Sequence, residues 1–172
     1  MDTQEMIRTK VTERFGIEID TENVDFVHLD QSSAKSLDPA NYPVMTVVLQ
    51  AVAFIRVSIH AASLQPCDIF VDSMGVGFGY PFVKILFGSS IYSYTHYPTM
   101  STDMINDVES EKKQFNNKNT NLKQLKVLYY KMLIRFYQWC GTYADQVAAN
   151  SSWTRTHMDN LWNKPKGQIE TM

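Results

Sequence analysis

The chain holds only two cysteines, Cys67 and Cys140, in 172 residues, too few for a disulfide framework. Both are read as small core residues and point to a reducing compartment. A basic excess is missing too. The formal net charge is −2, which argues against a dedicated nucleic-acid binder. The first twenty residues are charged where a secretory signal would be apolar, so no such signal is expected. His28, His60 and His157 lack ligand spacing, and no metal is expected. Neither a Ser-His-Asp order nor a pair of glycosidase carboxylates can be argued.

Long apolar runs are also scarce. Pro43–Leu64 is the one membrane-span candidate, and Gln50, Arg56 and His60 interrupt it. An arginine near the centre of a span costs about 2.5–3.5 kcal/mol on insertion scales. A mostly buried helix is therefore expected, with a strand reading open for part of it because of its β-branched residues.

What is present suits one domain. The 44% apolar and 20% charged fractions are those of a folded globular chain. Charge is unevenly spread. Residues 1–40 hold nine acids and four bases, whereas residues 111–135 hold seven bases and one acid. A basic segment interleaved with aromatics can face phosphate or a membrane surface, and it can equally be a solvated helix face.

Asp2 and Glu5 have capping-box spacing and Gly16 is a stop signal, which predicts a helix over residues 3–15. A short strand is expected at Val24–Leu29 and a loop at Gln31–Tyr42. From there the pattern is regular. Asp68–Asp72 reads as a buried strand, Pro81–Phe87 as a short helix closed by Gly88, and Ser90–His96 as a second strand. Ser101-Thr102-Asp103 is a helix start, residues 114–121 a flexible loop, and residues 122–140 an amphipathic helix carrying Lys123, Lys126 and Lys131. Gln146–Ala149 is a third strand and Ser151–Trp162 a last helix. The polar residues Asn163–Met172 are expected to be disordered. Strand and helix alternate, so the fold class is α/β with a parallel sheet.

Sites on such sheets lie beyond the carboxyl ends of the strands. Three polar clusters fall there: Asp72-Ser73, the segment from Tyr94 through His96, and Asn150-Ser151-Ser152. The turn Gly75-x-Gly77-x-Gly79 lacks the last spacing of a dinucleotide fingerprint, and no acid follows at the ribose position, which argues against a nucleotide-dependent oxidoreductase. It is read as a tight turn. His96 is the chemical candidate, because an imidazole at a strand end can hydrogen-bond a sugar hydroxyl and support charge near a reacting centre. It can equally be a histidine satisfied by backbone. Ser101, Thr102 and Asp103 are helix caps first, and could also aim hydroxyls at a phosphate. Asn150-Ser151-Ser152 matches a glycosylation sequon and is read as a chance match.

Four ordered blocks then add a family resemblance. They are Val71-Asp72-Ser73-Met74-Gly75 with Tyr80-Pro81, Tyr94 through Met104, Lys126-Val127-Leu128-Tyr129-Tyr130, and Asn150-Ser151-Ser152-Trp153-Thr154. Together they resemble the dolichol-linked α-1,2-mannosyltransferase of asparagine-linked glycosylation, over roughly residues 5–162. The resemblance implies a Rossmann-like sheet, the partial N-terminal domain of a GT-B glycosyltransferase, with residues 1–162 as its acceptor side and 163–172 as a tail. It implies retaining, metal-free transfer of mannose from GDP-mannose to an oligosaccharide on dolichyl pyrophosphate, with no cofactor. The setting implied is the cytosolic face of the endoplasmic reticulum membrane, with other mannosyltransferases as candidate partners and no nucleic acid.

By motif position His96 would be the histidine that reaches the donor sugar. Asp72, Ser73, Tyr94, Tyr97, Thr102, Asp103, Asn150 and Ser151 would surround the acceptor or the sugar, and Lys123, Lys126 and Lys131 would face the membrane. The family's membrane anchor, first strand and glycine-rich loop, and its donor-binding second domain with paired glutamates, are expected to lie outside this chain. Asp30-Gln31-Ser32 stands where the family pattern leads one to expect basic residues. The alternative function is a non-catalytic half-domain that binds a membrane or a protein partner.

Overall fold

The computed structural model describes residues 3–19, 23–42, 45–100, 120–162, 164 and 169–171. They form two compact units, Met1–Asp30 and Gln31–Met172. In the first, α1 spans Thr3–Phe15 and stops at Gly16, whose φ of 66° is the left-handed conformation that ends helices. The Gly16 N–H donates to Thr12 O at 2.9 Å. Asp2, the expected cap, lies outside the described residues. The strand expected at Val24–Leu29 does not form. This segment has no ladder partner among the described residues, and β-branched residues alone do not make a strand.

The second unit opens with α2 (Gln31–Ser36) and a 3-10 turn (Pro39–Asn41), where a loop was expected. Tertiary contact and capping explain the difference. Ser33 Oγ lies 3.2 Å from His60 Nδ1, and the Asp38 carboxylate caps the turn by accepting from Ala40 N. The order then runs α3 (Thr46–Leu64), β1 (Ile69–Asp72), α4 (Tyr80–Phe87), β2 (Ser90–Thr95), α5 (Thr120–Gly141), β3 (Gln146–Ala149), α6 (Ser152–Trp162) and β4 (Ile169–Thr171). The expected helix start at Ser101-Thr102-Asp103 and all but the end of the expected 114–121 loop lie outside the described residues.

All four strands are parallel, in spatial order β1-β2-β3-β4. The expected α/β class holds, and β4 is a strand that the sequence did not suggest. The tail is the correction. Ile169–Thr171 pairs with Val147–Ala149, and Ile169 is 1% exposed, so one buried side chain and an open sheet edge order a segment that composition made look free.

Parallel crossovers are right-handed, and repeated in one direction they put every connecting helix on the same face. Burial agrees. Ile91, Ser93, Thr95, Val147, Ala149 and Ile169 are buried beneath the helices. Ile69, Val71 and Tyr92, on the other face, are exposed by 54%, 65% and 40%.

Under the helices an aromatic cluster fills the core. Phe78 lies 5.2 Å from Tyr137, Tyr137 lies 5.5 Å from Trp162, and Trp162 lies 5.9 Å from Tyr80. None of the four exceeds 2% exposure. Such pairs add about 0.5–1.5 kcal/mol each beyond area burial. Cys140 sits in this core, where burial pushes its thiol up to about 12 and keeps it protonated at neutral pH.

Gly141 makes room for Trp162, since a Cβ there would come within 2.2 Å of the indole. Alanine is favoured over glycine in a helix by about 1 kcal/mol, but overpacking costs about 1–3 kcal/mol. The collision is with a side chain that is fully enclosed, so it outweighs the propensity gain. Gly141→Ala should lower stability by about 1–2 kcal/mol, read as a lower urea midpoint. An unchanged or raised midpoint would show that the indole can move aside.

The long helix α3 departs from expectation. Its buried residues are Ala51, Ala53 and Ala62, and only 17% of its most apolar 18-residue window is buried. Val47, Val48, Phe54 and Ile55 pack half-buried against the core, whereas Leu49 and Val52 are exposed. Among the described residues α3 is the one helix long and apolar enough to cross a membrane.

Candidate functional site

The carboxyl ends of β1, β2 and β3 meet at one edge of the sheet. Asp72 ends β1 opposite Ser93, and Thr95 ends β2 opposite Ala149. Asp72, His96 and Ser151 therefore lie at the same end, as the alternation of strands and helices implies. They do not form one cluster. Side chains alternate across a sheet, and the edge divides into two groups.

Asp72 belongs to the helix-covered face and serves its own turn. Its Oδ1 accepts from the N–H groups of Met74 and Gly75 at 2.8 and 3.1 Å, and its Oδ2 accepts from Val76 N at 2.8 Å. The Tyr80 hydroxyl donates to Oδ2 at 2.8 Å and lies 2.8 Å from Ser93 Oγ, which in turn is 3.2 Å from Thr95 Oγ1. Burial, and then the Asp72 charge, raise the Tyr80 phenol well above its ordinary range, so it stays a donor. Gly75 completes the turn. Its φ is 69°, and a Cβ would come within 2.7 Å of the Thr95 backbone. Asp72, Tyr80, Ser93 and Thr95 form a polar chain that ties β1 to β2. Ser73, beside it, is exposed.

The second group centres on His96. Its exposed ring stands edge-on to Tyr94, with centroids 4.8 Å apart. Tyr97 stacks on Trp153 at 5.3 Å, tying the His96 loop to the start of α6. Thr154, 1% exposed, is the pin. Its hydroxyl lies 3.1 Å from His96 O, 3.0 Å from Asn150 Oδ1 and 3.0 Å from Ser151 Oγ. Ser151 also caps α6 by accepting from Thr154 N at 3.2 Å. Asn150 and Ser151 thus hold the loop, and the His96 imidazole is left facing out. Tyr94 points to the open sheet face, where it lines a hollow of about 600 Å³ with Val71, Tyr92, Gln146, Ala148 and Glu170.

Thr102 and Asp103 lie outside the described residues, as do the side chains of Lys123 and Lys126. Lys131 is exposed on α5. The sequence reading did not single out Tyr80, Ser93, Thr95 or Thr154. Ser93 and Thr95 turn to the helix-covered face of β2, Tyr80 reaches them from α4, and Thr154 lies 58 residues from His96, so the contacts do not show in the sequence. Among the described residues no group of acids, histidines and cysteines could hold a metal.

The model of the family described as ALG11 mannosyltransferase N-terminus matches residues 1–162. The chain belongs to this family. Its relatives include a Candida glabrata protein, 37% identical over 95% of this chain and 31% of the relative. A Dictyostelium discoideum relative is 32% identical over 96% and 34%, and a Caenorhabditis elegans relative 34% identical over 94% and 35%. All three are named GDP-Man:Man(3)GlcNAc(2)-PP-Dol alpha-1,2-mannosyltransferase. The chain spans about a third of the length of the curated relatives it matches. No solved structure matches. Within the family match, this sheet edge presents His96 and Tyr97 to solvent on a loop pinned from beneath by Thr154.

Proposed function

We propose that this chain is the acceptor-side portion of a retaining, GDP-mannose-dependent α-1,2-mannosyltransferase that extends an oligosaccharide on dolichyl pyrophosphate. The carrying observation is the family match over residues 1–162, with relatives named for that reaction at 32–37% identity. The geometry supports it. His96 offers an exposed imidazole at the carboxyl edge of a parallel sheet, on a loop pinned by Thr154 and by the Tyr97–Trp153 stack. From there it can hydrogen-bond a hydroxyl of the donor sugar and support charge developing at the reacting carbon. Tyr94 holds the ring edge-on. Transfer needs donor and acceptor within about 3–3.5 Å of each other. The groups that grip the nucleotide are assigned to the two-thirds of the relatives that the match leaves out.

The test is a chimera in which residues 1–162 replace the matched segment of the Candida glabrata relative. It should transfer mannose from GDP-mannose to the lipid-linked acceptor, and the 172-residue chain alone should not. A folded chimera without transfer would overturn the reading, as would robust transfer by the chain alone.

The same reading sets the protein against the cytosolic face of the endoplasmic reticulum membrane, with Lys123, Lys126 and Lys131 toward lipid. A basic residue near an anionic surface is worth about 1 kcal/mol. Changing all three to alanine should weaken co-sedimentation with vesicles containing phosphatidylserine by at least about tenfold at low salt. Equal binding by the triple variant would remove these lysines from the membrane contact.

A further inference from the structure

Between the start of α3 and the first half of α5 runs an open groove of about 600 Å³, lined by Met45, Val47, Leu125, Leu128, Tyr129 and Met132. Its walls stand in water. Met45 is 55% exposed, Leu125 62%, Leu128 54% and Met132 64%. An apolar surface of this kind marks a site that something covers.

Two observations say what covers it. First, the lining is mostly hydrocarbon and thioether, and its polar side chains are Thr46, Tyr129 and Tyr130, of which the first two have partners within the chain. The Thr46 hydroxyl donates to Tyr42 O at 2.5 Å, and the Tyr129 hydroxyl accepts from Val48 N at 3.2 Å. A sugar or a peptide backbone laid here would meet few polar groups to pair with, whereas a hydrocarbon needs none. Unbranched methionines at Met45 and Met132 suit a chain of irregular outline. Second, the two helices that form the groove hold bases and no acid. Lys123, Lys126, Lys131 and Arg135 lie on α5 and Arg56 on α3, within a chain whose net charge is −2. The complementary ligand is an apolar chain with an anionic head.

We propose that this groove holds the isoprenoid chain of a polyprenyl diphosphate, the lipid arm of the acceptor, with the diphosphate drawn to the basic residues of α5. The proposal rests on the acceptor-side reading above and adds to it a binding site distinct from the His96 edge.

The test uses the purified 172-residue chain and geranylgeranyl diphosphate as the probe, followed by calorimetry. Inorganic pyrophosphate serves as the head-only arm, geranylgeraniol as the tail-only arm and phosphatidylcholine vesicles as the bilayer arm. Geranylgeranyl diphosphate should bind at least tenfold more tightly than pyrophosphate. The double variant Leu128→Gln, Met132→Gln should lose at least tenfold of that affinity, and so should Leu125→Gln alone. Both changes are at exposed positions, and unchanged circular dichroism will show that the fold is kept.

Equal affinity for pyrophosphate would overturn the proposal, and so would unaltered binding by both variants. Capture by phosphatidylcholine vesicles with no preference for the prenyl diphosphate would assign the groove to bilayer insertion instead. A dimer that both variants dissociate would assign it to a second copy. The chimera assay separates this idea from the one beneath it. Transfer without prenyl binding at the groove sinks the groove alone. Prenyl binding in a folded chimera that transfers nothing sinks the mannosyltransferase reading and leaves the groove standing.

Discussion

Replacing Asp72 with alanine should lower folding stability by about 3 kcal/mol, roughly a hundredfold in the folding equilibrium. The carboxylate accepts from three consecutive backbone N–H groups and from the buried Tyr80 hydroxyl. Hydrogen bonds to a charged acceptor are worth about 1.5–3 kcal/mol each, and a donor left buried without a partner costs about 1–3 kcal/mol. The losses do not simply add. Met74 is exposed and its amide can turn to water, and Tyr80 keeps Ser93 within reach. Asp72→Asn retains one carbonyl oxygen and should recover about half of the loss. Urea unfolding of the three proteins decides the matter. An alanine variant within 1 kcal/mol of the parent would mean that the turn is held by Gly75 and its neighbours without the carboxylate.

A second large effect is expected at His96, and it should be of the opposite kind. In the chimera, His96→Ala should cut turnover roughly a hundredfold, the loss typical of removing one preorganised donor from a site of developing charge. Stability should hardly change, because the residue is exposed and its ring meets Tyr94 in a T-shaped contact at the surface. The backbone carbonyl that fixes the loop through Thr154 survives the substitution. Turnover and melting temperature measured side by side separate the two roles. A variant that works as well as the parent would remove His96 from the chemistry.

These two residues show how far the sequence could be read. The three strands from 69 to 149 and the helices between them were legible, because Gly79, Gly88 and Pro81 punctuate a regular alternation of apolar runs. The carboxyl edge carrying Asp72, His96 and Ser151 follows from that alternation. What the side chains do at the edge does not follow. Asp72 looks like a free carboxylate until Tyr80 and Ser93 are folded onto it.

α2 and β4 were missed for a related reason. A six-residue helix with five polar residues and a three-residue strand have no periodicity of their own, and each is stabilised by a neighbour far away in the chain. The long apolar element was recognised as a helix, but its environment was not. Its fully buried residues are three alanines, while Val47, Val48, Phe54 and Ile55 are only half-buried against the core and Leu49 and Val52 stand exposed.

The spatial order of the strands has one more consequence. Because β1, β2, β3 and β4 follow one another across the sheet as they do along the chain, no strand has to be inserted between two already in place. A polypeptide leaving the ribosome N-terminus first can add each strand to an edge that already exists. Every strand pairing joins successive strands, so the loops closed during folding stay short for a parallel sheet, where long-range pairing is otherwise slow. The widest gap lies between β2 and β3, bridged by residues 96–145. Growth of the sheet should pause there until α5 has been made.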